Sequence, residues 1–208
     1  MADPSRDGTP ERPEHEARAA MTISGPGLVP LLRAGLRVIV VGFNPSIRAH
    51  QTGHYYAGRA NRFYTLLYSA KLTPRLLRPA EDALLLEFGI GVMDLSSIPS
   101  ARAHELKRET FSSGADLVKK TVSQLAPTAV CCNGYGVFTA LTGTKPTRAG
   151  LQPGAAIARA SVFAVPSSSG AASAFTAERH AGWLELGEFL GADVNASSPG
   201  GTLASPGL

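Results

Sequence analysis

Arg37-Val38-Ile39-Val40-Val41, broken off by Gly42-Phe43-Asn44-Pro45-Ser46, is the stretch that decides the fold. The run of β-branched aliphatics reads as a buried strand, and Gly42 and Pro45 fix the turn that ends it. That turn receives one polar side chain, Asn44, at the carboxyl end of a strand, where open α/β sheets place their chemistry. An uncharged amide there can hold and orient a water. A second apolar run, Ser161-Val162-Phe163-Ala164-Val165, ends in the same way at Pro166-Ser167-Ser168-Ser169-Gly170. Two strand ends that open into small polar loops can face each other across one cleft.

Outward from these runs, the pattern alternates. Gly89 to Leu95 and Ala129 to Cys132 read as further short strands. Phe63, Leu66, Leu67 and Ala70 fall at the i, i+3, i+4, i+7 spacing of an amphipathic helix over Asn61 to Leu72. Pro79 to Phe88 reads as a helix with proline in its first turn. Ser113 to Leu125 reads as another, with Leu117, Thr121, Val122 and Leu125 inward. A helix is expected from Gly134 to Leu141. The Gly/Pro segment Gly143 to Arg159 reads as a loop with hairpin character. Thr176 caps a last helix to Leu190, with Trp183, Leu186 and Leu190 inward. Strands separated by helices imply an α/β fold: a three-layer αβα sandwich around a central, mainly parallel sheet of four to five strands. The expected organisation is one domain over residues 21–192, with disordered tails at 1–20 and 193–208, which are polar and rich in Pro, Ser or Gly.

Of 208 residues, 20 are basic, and arginines outnumber lysines 15 to 5. The formal charge of +4 is uneven: residues 1–21 carry three arginines against five acids, and residues 193–208 carry Asp193 alone, so the body between them is +7. A basic body suits a polyanion such as nucleic acid. Cys131 and Cys132 are neighbours on a strand and point to opposite faces, which argues against a disulfide, and two cysteines are too few for an iron–sulfur cluster. His54, His104 and His180 show no ligand spacing, so no metal is expected. There is no apolar stretch of spanning length and no signal-peptide pattern, so the expectation is a cytoplasmic protein with no membrane partner, and a monomer.

Candidate chemistry sits at the strand ends and in one ring-rich loop. Thr52 to Tyr64 interleaves rings with Gly and Arg, which offers a face for stacking and, at Arg59, charge for phosphates. Tyr56, in its Gly-flanked loop, reads as a stacking residue and Phe63 as core. Asp94 closes the strand Gly89-Ile90-Gly91-Val92-Met93, where a partly desolvated carboxylate can act as general base or can cap the next segment. Asn133, before Gly134, can read the edge of a base or cap a helix. The Ser167–Ser169 turn suits phosphate oxygens. A nucleophilic serine would need a G-x-S-x-G elbow, and the glycine before the serine is missing.

Together these residues resemble the thymine-DNA glycosylase and mismatch-specific uracil-DNA glycosylase family over about residues 37 to 190. Gly42-Phe43-Asn44-Pro45-Ser46 resembles that family's G-I-N-P-G, and Gly53-His54-Tyr55-Tyr56 with Asn61-Arg62-Phe63-Tyr64 resembles its G-H-H-Y…N-H-F-W. Gly89-Ile90-Gly91 and Cys132-Asn133-Gly134 fall in register, and Pro166-Ser167-Ser168-Ser169 is similar to its P-S-S-S. The resemblance implies an αβα sandwich and hydrolysis of an N-glycosidic bond in DNA, with no cofactor. Extrusion of the target base is part of that chemistry. Carried over, Asn44 orients the water, Tyr56 stacks on the everted base, the backbone around Phe43 and the His54 region line the pocket, and Ser167, Ser168, Ser169 and the following Gly170-Ala171 hold the flanking DNA.

Two departures shape the expectation. Where the family presents a bulky residue after the serines, this chain has Gly170-Ala171-Ala172-Ser173, which implies a preference for weakly paired targets. Asp94 stands where the family often has Asn or another residue, so it is a candidate to supplement or replace Asn44 in activating water. The expected function is excision of uracil from mismatched DNA, with thymine and other deaminated or modified bases as further candidates. The alternatives are a lesion sensor of the same fold with weak or no excision, and a nucleotide-binding enzyme, which would need the G-x-G-x-x-G spacing this turn lacks.

Overall fold

A computed structural model of the chain describes residues 28–100 and 108–196, with the side chains of 108–110, 171–173 and 192–196 outside that description. The expectations for residues 1–20, for most of 193–208 and for His104 lie outside the described residues.

The described chain forms a five-stranded sheet. In chain order the strands are β1 (Val38–Gly42), β2 (Ile90–Asp94), β3 (Ala129–Asn133), β4 (Gly150–Ile157) and β5 (Ala160–Val165). Their order in space is β2-β1-β3-β5-β4. The β1–β2, β1–β3 and β3–β5 pairs are parallel, and only β4 runs antiparallel, as a hairpin with β5. The Gly/Pro segment read as a loop with hairpin character therefore contains a true edge strand. Its ladder is irregular between Leu151 and Ala156. The other edge, β2, is covered in part by Leu31, which exchanges two backbone hydrogen bonds of 2.9 Å with Val92.

The unbroken apolar strands are explained by burial on both faces. Successive residues alternate between two cores. Val38, Val40, Ala129, Cys131, Phe163 and Val165 pack on one side, against α2 (Phe63–Ser69), a 3₁₀ segment (Pro79–Phe88) and α5 (Thr176–Ala196). Ile39, Val41, Val130, Cys132, Val162 and Ala164 pack on the other, against α3 (Arg108–Leu125) and α4 (Tyr135–Thr142). Cys131 and Cys132 lie on opposite faces, both as free thiols.

The helix expected over Pro79–Phe88 is present as a 3₁₀ segment, with proline at its start and a non-helical residue at Glu81. Two sequence expectations are corrected. The segment 46–60, expected as loop, contains a short helix, α1 (Ile47–Thr52), whose N-cap is Ser46: its side chain accepts the Ala49 N–H at 3.1 Å. Ser46 thus has a local structural use. Leu117 is 57% exposed, and the buried stripe of α3 is Ala115, Val118 and Val122. The helix lies so close to the β2 exit that only glycine fits at position 114, where a Cβ would lie 1.6 Å from the Leu95 carbonyl oxygen. The buried stripe is centred between Ala115 and Val118, which leaves Leu117 beyond its edge.

Candidate active site

Four strand ends and the ring-rich loop close around one cavity of about 450 Å³. Gly42 to Ser46 enter it from β1, Asp94 from β2, Asn133 from β3, and Ser167 to Ser169 from the turn after β5; Tyr55, Tyr56 and Asn61 complete the wall. The parallel arrangement puts these carboxyl ends on one edge of the sheet, at the crevice position of open α/β folds. A larger cavity of about 750 Å³ lies between α3, α4 and β4, and no carboxylate, histidine or cysteine lines it.

The turn after β1 is laced to the loop after β2. Leu95 and Ser96 donate backbone N–H groups to the carbonyls of Gly42 and Phe43, and Ser100 donates to that of Pro45. Within this seam, Asn44 Nδ2 faces the carbonyl oxygens of Pro45 at 3.0 Å and Ile98 at 3.2 Å, and Ser100 Oγ at 2.9 Å. Two carbonyl acceptors fix which way the amide points, since the opposite orientation would set oxygen against oxygen. Oδ1 accepts from no described residue.

Asp94 stands across Gly42. A Cβ on Gly42 would lie 2.3 Å from Asp94 Oδ1 and 3.3 Å from the Tyr56 hydroxyl, so only glycine lets these groups meet over the strand end. Asp94 is half-buried at the cavity wall, and the loss of solvation there pushes its carboxyl up to about 7. Its neutral and ionised forms are therefore both accessible near neutrality, as a general base requires. Asp94 faces the cavity at the end of β2, and among the described residues it makes no capping bond.

Tyr56 stacks on Phe63, with ring centroids 3.8 Å apart and planes at 32°. Phe63 is fully buried and does not line the cavity, so it backs the Tyr56 ring. The Tyr56 hydroxyl is buried beside Asp94 and Asn133 at a geometry short of a hydrogen bond. Burial, reinforced by the Asp94 charge, holds its pKa well above that of a free phenol, so the ring stays neutral.

The serine turn divides its labour. Ser168 is buried: its N–H donates to Asn133 Oδ1 at 2.8 Å, its Oγ accepts from Asn133 Nδ2 at 2.9 Å, and its carbonyl accepts the Arg62 N–H at 2.9 Å. Ser168 and Asn133 thus hold each other, and α4 is capped by Gly134 without a side-chain bond. Ser167 and Ser169 are half-buried and line the cavity. Buried Arg179 of α5 supports the turn from behind, donating from Nη1 to the Ser167 carbonyl at 2.8 Å.

Other sequence candidates fall elsewhere. Phe43 lines the cavity, but its ring packs edge-on against Phe111 at 5.1 Å and closely over Gly136. His54 does not line the cavity; its Nδ1 sits 3.2 Å from Asp82 Oδ1. Arg59 is exposed and outside the lining, on the segment that also exposes Arg48 and Arg62. Gly170 begins a second 3₁₀ segment, Gly170–Phe175; the Ala171 side chain lies outside the described residues. Sequence reasoning missed Asp82, Ser100 and Arg179, which act through contacts 27, 56 and 12 residues away and carry no local motif. Among the described residues no cluster of three or more His, Cys, Asp or Glu is placed to hold a metal ion, and no helix is long and apolar enough to cross a membrane.

A fixed amide, a half-buried carboxylate and a serine turn at strand carboxyl ends share one cavity with an aromatic ring from the loop. A family model for the uracil DNA glycosylase superfamily matches residues 29–186, most of the chain, and the chain belongs to that superfamily. Membership implies a DNA N-glycosylase, a hydrolase with DNA as its substrate. Among solved structures, the chain is similar to the solution NMR structure of a candidate uracil DNA glycosylase from Methanosarcina acetivorans. The identity is 20% over 79% of this chain and 97% of that one, at a TM-score of 0.48.

Proposed function

We propose that the protein is a monofunctional DNA glycosylase that everts uracil from weakly paired positions, G·U mispairs above all, and hydrolyses its glycosidic bond. The observation that carries this reading is the convergence of Asn44, Asp94 and Tyr56 on one cavity beside Ser167 and Ser169. A base buried in the stack has to leave the duplex to reach such a cavity. Tyr56, backed by Phe63, offers the face on which it stacks. Exposed Arg48, Arg59 and Arg62 add charge for the phosphate backbone.

The water donates one hydrogen to Asn44 Oδ1, which orients it. Its other proton passes to the ionised Asp94 carboxylate as oxygen bonds to the sugar C1′. The C1′–N bond breaks, and its electron pair leaves with the base. The products are the free base and an abasic sugar. Asn44 stays neutral throughout, and Asp94 returns its proton to solvent.

The test is single-turnover excision, with enzyme in excess, on one labelled oligonucleotide carrying G·U, A·U, G·T or single-stranded U, with alkaline cleavage to reveal abasic sites. Expected is product from G·U and single strands, lost in the Asn44→Ala, Asp94→Ala double variant. Tight binding without abasic product on any substrate would instead make this a lesion sensor.

A further inference from the structure

The turn that carries Tyr56 is held in an unfavourable conformation, and its anchors single out a residue outside the cavity. Tyr56 has φ of 55°, in the left-handed region that residues with a Cβ rarely adopt. Such a residue persists only where its surroundings over-determine it. Here the Gly53 N–H donates to the Ala49 carbonyl at 2.9 Å, and Arg48 Nε donates to the Ala57 carbonyl at 3.0 Å. The Tyr64 hydroxyl donates to the Tyr55 carbonyl at 2.8 Å, and the Tyr55 N–H donates to Asp82 Oδ2 at 2.9 Å.

Asp82 differs from the other anchors. It is a buried carboxylate from the 3₁₀ segment on the far side of the ring-rich loop. Its second oxygen lies 3.2 Å from His54 Nδ1. Both oxygens are thus used on the two residues immediately before Tyr56. A buried carboxylate is a costly way to close a wall, and it persists where its acceptor geometry is needed.

We propose that Asp82 is a positioning residue for base recognition: through His54 and Tyr55 it fixes the Tyr56 ring on Phe63 and so sets the plane on which the everted base stacks. The identity of the stacked group rests on the function proposed above; the mechanical link from Asp82 to Tyr56 does not.

The test combines variants at positions 82 and 56. Asp82→Asn keeps an oxygen for the Tyr55 N–H and an amide beside His54 Nδ1, so its excision rate is expected within about threefold of the parent. Asp82→Ala is expected to slow single-turnover excision by about ten- to a hundredfold while oligonucleotide affinity changes less than about twofold. Asp82→Glu keeps charge and burial but displaces the carboxylate by a methylene. It guards against a misfolded alanine variant and is expected to be slow as well. In a Tyr56→Ala background, Asp82→Ala should cause no further loss, because its effect travels through that ring. Hydrogen exchange at the Tyr55 amide should accelerate in Asp82→Ala and not in Asp82→Asn.

Losses that multiply in the double variant, or a Tyr55 amide equally protected with Ala at position 82, would overturn the proposal. If the parent protein excises no base at all, the functional reading falls, and the exchange comparison still decides whether Asp82 holds the turn.

Discussion

Replacing Asp94 with Asn should make the protein slower and more stable at once. Burial raises the carboxyl from 3.8 to about 7, a displacement of roughly three units. At about 1.4 kcal/mol per unit, the folded state disfavours the ionised form by on the order of 4 kcal/mol. The sign follows from proton counting. Between pH 4 and 7 the folded chain keeps a proton that the unfolded chain has released, so the free energy of unfolding falls as pH rises through this window. The whole penalty is present above about pH 7 and absent below about pH 4. Asp94→Asn resembles the protonated acid and lacks the titration. Its urea midpoint should match the parent's near pH 4 and exceed it at pH 8. Catalysis runs the other way. With a base of pKa about 7, the ionised fraction, and with it the single-turnover rate, rises about tenfold between pH 6 and 8. In the Asn variant the rate should be flat with pH and lower by about 10²- to 10⁴-fold. A parent rate that does not change between pH 6 and 8, or an Asn variant as fast as the parent, would remove Asp94 from the mechanism. An Asn variant no more stable at pH 8 would show that the carboxylate is not desolvated.

Further outcomes follow from the same geometry. Gly42→Ala puts a Cβ 2.3 Å from Asp94 Oδ1, so the carboxylate has to move; single-turnover excision should drop by about a hundredfold with the fold intact by circular dichroism. Asn44→Asp sets an anionic oxygen against the Pro45 and Ile98 carbonyls, and it should lower the melting temperature and the rate more than Asn44→Ala does. Asn133→Ala strands the buried Ser168 N–H and hydroxyl and should cost about 2–4 kcal/mol by urea denaturation. With only Gly170 and small residues after the serine turn, G·U should be processed faster than A·U by single-turnover assay. Equal rates would show that base-pair opening does not limit extrusion.

The hydrophobic pattern alone determined the layered fold. Val38 to Val41, Ala129 to Cys132 and Val162 to Val165 are apolar on consecutive residues, and a strand of that kind needs a cover on each face. Asn44, Asp94, Asn133 and Ser167 were legible as candidates for the same reason: each is the polar residue at which an apolar run stops, and parallel strands bring such stops to one edge. The roles within that edge were decided only in three dimensions. Neighbouring serines 167 and 168 look alike in the chain and both border the cavity, yet Ser168 is buried and held by Asn133 through its N–H and hydroxyl, while Ser167 stays half-buried. Burial of Asp94, which sets its affinity for a proton, depends on Gly42 of the neighbouring strand. The position of α3 against the β2 exit depends on the approach of Gly114 to Leu95. Periodicity encodes how much of each element is buried, but contacts between residues distant in sequence determine which atoms meet.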